Sequence, residues 1–570
     1  MFTKYSSVLK YTVCVVLLMT TSLPSNAQEA PQSQQERKSP LELPDVIVYG
    51  VDTDLRKTGE KTSAAKFSIL ALSSDAPAPY PSLPSCRGVL TIPGSRQSSP
   101  GHATFLSSYV GSYSSWGLQA IHNRTLKRAH LRLFSDIQGT NGAFDKSVGT
   151  WGEIEGRVDG PLSNTITGGL QAGYRRWSYG LHGSPKFLGK FRQELLTIQT
   201  HMDYRHSQHT LSHFSFAYRL LNVPQSLYDV YENLFRGEFT VQTELGPFGI
   251  SSHLHWTGDR PSVENINEPQ DFNLVVPDYP SSDLLGLSIV SKVPLLPQFS
   301  ADMGVDVYVF SRERQDDETR LFPKLRCLYR PLAPVAIQAY LGGNFRHRSL
   351  VDLHEANPYA VPSISSIVSA VEEVRLKVGT EVEVEVRPDL FLKGAYRWTR
   401  ILDELYWRWE CVSEFYTSFR LEEVRQHRID LSCNYRPAEN ITIETGLTWL
   451  DYGIKDRYIS IANPSAKIPF RPNNQAWGIV TFDIPGIVDI RGDWRWVGGR
   501  TAFLPLPFDS FHDTLELDPY FLLNLTLEKN IHRAITLFTS IYNLTDSDYE
   551  VWYNYPEMGI HFHGGLKIVF

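Results

Sequence analysis

Between positions 374 and 386 apolar and polar residues alternate along the chain. Val374, Leu376, Val378, Thr380, Val382, Val384 and Val386 hold the even positions, and Arg375, Lys377, Gly379, Glu381, Glu383 and Glu385 the odd ones. A helix would scatter those glutamates around its surface, whereas a strand collects them on one face. The same period recurs where Leu196, Ile198, Met202 and Tyr204 alternate with Thr197, Gln199, His201 and Asp203. It recurs again where Phe214, Phe216, Tyr218 and Leu220 alternate with His213, Ser215 and Arg219, and where Phe521, Leu523, Leu525 and Leu527 alternate with Asn524, Thr526 and Glu528. The chain also ends on it. Ile560, Phe562, Leu566, Ile568 and the terminal Phe570 share one face; His561, His563, Gly565 and Lys567 share the other. Ending a strand on an exposed aromatic suits a closed barrel in a membrane, whose last strand must pair with its first to leave no open edge.

Connection lengths set the topology. From about Ala103 the pattern gives about 22 strands. Alternate connections are short and built from turn residues, at 160–164, 205–207, 246–248, 330–334, 387–389, 436–440 and 484–486. Proline, glycine and asparagine are the residues such turns use. The connections between them are long and polar, at 139–150, 179–190, 258–282, 350–367, 452–474 and 499–518. Short periplasmic turns and longer outer loops produce this beat, and an even count brings both termini to the periplasmic side. The expected fold is therefore all-β: a transmembrane, antiparallel outer-membrane β-barrel of about 22 strands spanning 101–570.

The start of the chain agrees with an exported protein. Lys4 and Lys10 border an apolar stretch from position 11 to 19, and Ser25-Asn26-Ala27 follows. That is the layout of a signal peptide over 1–27, cleaved after Ala27, and its apolar run is too short to span a bilayer. The formal charge of −7 becomes −9 once Lys4 and Lys10 leave with the leader. Without a basic patch, nucleic acid is not an expected partner. No later stretch approaches twenty apolar residues, which excludes helical spans. A mean hydropathy of −0.24 fits alternating lipid-facing and water-facing positions. After the leader, Cys86, Cys327, Cys411 and Cys433 show no C-x-x-C spacing, and Cys327 and Cys433 fall on apolar, lipid-side faces.

Near the end the residues carry a family resemblance. Asp493-Trp494-Arg495-Trp496-Val497-Gly498-Gly499-Arg500 resembles the aromatic-Gly-Arg strand of TonB-dependent receptor barrels. Asn543-Leu544-Thr545-Asp546, then Tyr549, and Tyr555-Pro556-Glu557-Met558-Gly559 resemble their closing run, and Phe470-Arg471-Pro472 is similar to the segment that leads into one of their strands. Ile560 stands where the family usually has Arg. The resemblance implies a 22-stranded barrel, the count reached above from the connections. It covers about the last 110 residues.

A second, shorter likeness lies after a Gln/Pro/Ser-rich linker. Asp45, Val46, Ile47, Val48 and Tyr49 resemble the TonB box, a segment that adds as a strand to the periplasmic energy-coupling protein TonB. The Ser-, Pro- and Ala-rich residues 51–100 lack the family's plug motifs and are too few for its plug, so 28–100 is expected to be disordered.

The expected role is transport, or assistance to transport, of a solute across the bacterial outer membrane; siderophore, cobalamin and oligosaccharide all stay open. A passive porin-like channel and a non-transporting surface-binding barrel are the alternatives. Expected partners are outer-membrane lipid, the barrel-assembly machinery through the terminal strand (Phe562, Leu566, Ile568, Phe570), and TonB or a plug-bearing receptor. No catalytic triad, carboxylate pair or phosphate loop stands out, so no enzyme, cofactor or resident metal is expected. His201, His206, His209 and His213 read as solvated positions around a periplasmic turn, and the acidic 258–283 connection as a solvated loop. The aromatic run Tyr406, Trp407, Trp409, Phe415 and Tyr416 is expected in an interfacial girdle.

Overall fold

The computed structural model describes residues 102–144, 147–180, 190–224, 229–264, 281–313, 316–357, 359, 370–410, 415–455, 467–505 and 512–570. The expected leader, the linker, the TonB-box-like segment Asp45 to Tyr49, Cys86 and Cys411 lie outside these residues.

The described residues form one antiparallel sheet of 22 strands closed on itself. Its first half runs through β1 (His102–Gly111), β2 (Ser115–Leu126), β3 (Ala129–Thr140), β4 (Gly149–Pro161), β5 (Ile166–Gly180), β6 (Lys190–Arg205), β7 (Thr210–Pro224), β8 (Asp229–Leu245), β9 (Phe248–Glu264), β10 (Ser282–Leu296) and β11 (Phe299–Arg312). The second half continues with β12 (Glu318–Leu332), β13 (Val335–Arg348), β14 (Ala370–Arg387), β15 (Leu390–Glu410), β16 (Phe415–Ala438), β17 (Ile441–Lys455), β18 (Asn474–Ile484) and β19 (Val488–Val497). A hairpin of β20 (Arg500–Pro505) and β21 (His512–Leu517) leaves the wall. Then β22 (Tyr520–His532) and β23 (Ile535–Tyr542) rejoin it, the short pair β24 (Glu550–Trp552) and β25 (Tyr555–Pro556) leaves again, and β26 (His561–Val569) closes it. Among the described residues one α-helix, α1 (Leu350–Ala356), lies between β13 and β14.

The seam is fully paired. β26 runs against β1 from Phe105 opposite Val569 to Gly111 opposite His563. At the last residue, Thr104 N–H donates to Phe570 O at 2.7 Å and Phe570 N–H to Thr104 O at 3.0 Å. Leu566 stands opposite Ser108 and Ile568 opposite Leu106, while Phe562 and Phe570 are 58% and 68% exposed. At the same end of the strands as Phe570, Gly246 (φ +63°) and Gly486 (φ +76°) make left-handed turns that a side chain would strain.

Large apolar side chains stay exposed on outward positions around the wall, among them Ile154, Leu170, Leu325, Leu431 and Leu447. A belt of this extent is what a lipid-facing surface requires. Cys327 and Cys433 are free thiols, half-buried on the same alternation as Leu325 and Leu431. Among the described residues no helix is long and apolar enough to cross a membrane.

The wall is uneven in height. The strands from β18 through the seam to β3 have 8 to 13 residues, but β14, β15 and β16 have 18, 21 and 24. About ten residues cross a bilayer, so the tips of β15 and β16 stand well above it. This height corrects the expected girdle: Tyr406, Trp407, Trp409 and Tyr416 are 0–4% exposed and pack inside the protein, out of reach of an interface. The alternation on β14 also stops short of its predicted start, at a bulge between Val374 and Leu376, and Val374 is wholly buried.

Candidate functional site

At the outer ends of β5 to β8 the lumen side stops being polar. Trp177, Phe191, Leu195, Leu221, Val223 and Val230 all point inward there and are 0–8% exposed. Bare apolar side chains facing water would cost free energy, so this patch needs a cover. Helix α1 supplies part of it.

Ser349 caps α1: its hydroxyl accepts from Asp352 N–H at 3.2 Å, and the Asp352 carboxylate accepts from Ser349 N–H at 3.1 Å. This capping box lets a seven-residue helix form where length alone would not. Leu350, Val351 and Leu353 then turn onto the apolar patch. The otherwise orphaned N–H groups of Leu350 and Val351 donate to the buried carboxylate of Glu232 on β8. Arg236 reaches Asp352 at 3.2 Å, and Arg175 on β5 reaches Glu355 at 3.0 Å.

Burial pushes the Asp352 carboxyl up, but Arg236 and the Ser349 N–H and hydroxyl outweigh it and hold it below the usual carboxylate range. The anion is thus favoured in the folded state. Its contribution is present above the unfolded pKa and lost as pH falls through the lower folded one. Asp352→Asn should therefore loosen α1 by about 1–3 kcal/mol. Amide exchange at Leu353 should speed up at neutral pH, and the difference from wild type should shrink as the solution is acidified.

From the far side of the barrel come the tips of β15 and β16, the segment carrying β24 and β25, and Phe470. Trp407, Trp409, Tyr416, Trp552, Tyr555 and Phe470 are 0–4% exposed and belong to the same apolar cluster as the β5–β8 patch. A line of rings joins the two sides. Phe191 meets Tyr179 at 5.4 Å, Tyr179 meets Tyr359 at 6.1 Å, Tyr359 stacks on Tyr555 at 3.8 Å, and Tyr555 meets Trp409 at 5.9 Å. In a closed ring of 22 strands, β5 and β16 are eleven places apart, directly opposite each other. The line therefore crosses the mouth from wall to wall. We call this shared core the roof.

Polar groups fasten it. Arg471 pairs with Glu404 at 2.5 Å, both almost wholly buried, and also donates to Leu405 O. Arg500 donates to Val551 O at 2.9 Å and Glu550 O at 2.6 Å, tying β20 to β24. Tyr416 Oη donates to Tyr553 O at 2.8 Å. Burial pushes the Glu557 carboxyl well above the usual range, helped by Glu550, so it sits neutral in this apolar setting.

The long outer connections were expected to be polar, yet Leu350, Val351, Tyr359, Phe470 and Leu517 within them belong to the roof. The sequence reading missed the roof. Its visible traces are adjacent apolar pairs such as Leu195-Leu196 and Leu220-Leu221, which place apolar side chains on both faces of a strand tip. The four histidines divide: His206 and His209 lie in the turn between β6 and β7, while His201 and His213 face the lumen beside Asp159 and Asp203.

The closed wall, its apolar belt and its turn-and-loop beat define an antiparallel outer-membrane β-barrel of 22 strands. No family model matches the sequence, and no curated protein matches it. Solved structures do. The FrpB iron transporter of Neisseria meningitidis superposes with a TM-score of 0.66 at 10% identity, covering 83% of this chain and 82% of that one. The ferric-catecholate import receptor Fiu of E. coli gives 0.63 at 12%, over 83% and 82%. The copper transporter OprC gives 0.62 at 13%, over 82% and 80%. The barrel shares its fold with these two transporters and this import receptor, at identities that show a shared fold alone.

Proposed function

We propose that this chain is a transport receptor that admits a metal ion or its chelate through the lumen of an outer-membrane barrel. The observation that carries the reading is the roof, because a passive porin needs an open mouth and this mouth is crossed by a packed core. The chains of like fold are an iron transporter, a ferric-catecholate import receptor and a copper transporter, which supports a metal-containing solute. In this reading Asp45 to Tyr49 engage TonB by strand addition, and energy from that contact drives uptake. The terminal strand with Phe562, Leu566, Ile568 and Phe570 is the segment offered to the barrel-assembly machinery and to lipid.

A deletion strain should grow poorly when one metal source is limiting, and a plasmid copy should restore growth. The copy lacking residues 45–49 should insert as a heat-modifiable barrel yet fail to restore it. Full restoration by that copy would remove TonB coupling from the proposal.

A further inference from the structure

The inner wall between β4 and β11 carries a feature that the roof does not explain. Strand register sets two cross-strand rows side by side on the lumen face. In the first, Asp159 lies opposite Gly169, which lies opposite His201, then Ser215, Glu238 and His255. The second, two residues along each strand, runs through Asp203, His213, Thr240, His253 and, across Ser288, Asp306. Imidazoles therefore recur beside carboxylates over several consecutive strands.

The members touch in pairs. His201 Nε2 is 3.3 Å from Asp159 Oδ1, and His213 Nδ1 is 2.6 Å from Asp203 Oδ1. His253 Nδ1 bonds the Thr240 hydroxyl at 2.8 Å, and the His253 and His255 rings are 5.6 Å apart. Gly169 makes the first pair possible. A Cβ there would stand 2.2 Å from Asp159 Oδ1 and 2.4 Å from His201 Cε1, so any side chain on β5 would force the two groups apart.

The rows also have a direction. Rows in register run across the strands, and barrel strands tilt by about 40° from the axis, so such a row descends as it goes round. Each row takes five steps of about 4.8 Å, a path of about 24 Å with about 15 Å of it along the axis. The first row's lower end is Asp159, two residues before β4 ends at Pro161; the second row's upper end, Asp306, is mid-strand on β11. Together they are a ramp down the lumen wall to the periplasmic lip.

Imidazole with carboxylate suits borderline divalent ions such as Zn²⁺, Cu²⁺ and Ni²⁺, and disfavours Mg²⁺ and Ca²⁺. Among the described residues no three such side chains converge as a cage for a metal. Two-ligand stations hold an ion briefly, and a conducting path needs binding strong enough to enter and weak enough to leave. We propose that this ramp is a chain of transient sites that passes a borderline divalent metal ion from mid-lumen to the periplasmic lip. The proposal rests on the transport reading above and names the cargo at this site as the bare ion.

The test is Zn²⁺ titration of the purified, folded full-length barrel in detergent by calorimetry. Wild type should show saturable binding that Mg²⁺ does not reproduce. The H201Q/H213Q/H253Q/H255Q variant should bind about tenfold or more weakly. His532→Gln, at the end of β22, should bind as wild type does. Heat-modifiable mobility establishes that each variant is closed, and Asp203→Asn with Glu238→Gln offers a second route that spares the imidazoles. No saturable heat in wild type, undiminished binding in the folded quadruple variant, or equal binding of Mg²⁺ would each overturn the ramp. Metal-limited growth separates the two readings. Growth that depends on the protein without Zn²⁺ binding leaves transport standing and removes the ramp; binding without any growth effect removes transport and, with it, passage of the ion along the ramp.

Discussion

Trp552→Ala should turn a nearly silent barrel into a large, steady conductance in planar bilayers. Trp552 is wholly buried and meets Phe470 at 4.9 Å, Tyr416 at 5.1 Å and Trp407 at 6.3 Å. It is the ring on which β15, β16 and the 467–473 segment converge. Truncating such a side chain costs about 3–5 kcal/mol through lost contacts and the cavity left behind. The loss falls on the apolar packing that joins the two sides of the roof across the mouth. The 22-strand ladder keeps its own bonds, and the barrel should remain heat-modifiable and inserted. Phe562→Ala, on the outward face of the last strand, should leave conductance unchanged. Wild-type conductance in the Trp552→Ala barrel would show that the roof is not the barrier.

Arg471→Leu should expose the outer loops to protease on intact cells, and a second change should undo most of the damage. Arg471 is the cation beside Glu404, and their side chains are 4% and 1% exposed. Removing one partner of a buried pair strands the other charge and costs about 3–5 kcal/mol. Arg471 also gives up its bond to Leu405 O, at the root of the β15 tip. Replacing both residues, as Arg471→Leu with Glu404→Leu, removes the stranded carboxyl and should recover most of the resistance. A double variant cut as fast as the single one would mean that Arg471 acts through its carbonyl contact alone.

The wall was legible in the sequence because each of its rules is local. Alternation at Val378 to Val386 needs only neighbours, and turns such as Leu245-Gly246-Pro247-Phe248 declare themselves by residue type. Together they gave the strand count and the side of the membrane on which the turns lie. The roof obeys no local rule. Its members sit at 177, 191, 351, 409, 470 and 552, and nothing in their spacing says that they meet. Their residue types even misled, since a run of Tyr and Trp near a strand end reads equally as a girdle. Strand length was the signal that decides: from the 388–389 turn to Glu410, β15 is about twice what a bilayer requires. The histidine rows were hidden for a related reason. His201, Glu238 and His255 become neighbours only through register, and a slip of one residue on a single strand would turn its members toward lipid.

The ring line across the mouth also dictates an order of events as the chain folds. Tyr179 and Tyr555 are 376 positions apart in sequence, yet both pack against Tyr359, the first by its edge and the second face to face. Closing so long a loop early would cost entropy before any contact returned it. The stack can gather cheaply only once Phe570 has found Thr104 and the strands already hold its members within reach. Assembly of the wall therefore comes first, and the roof is a seal set by the finished barrel itself.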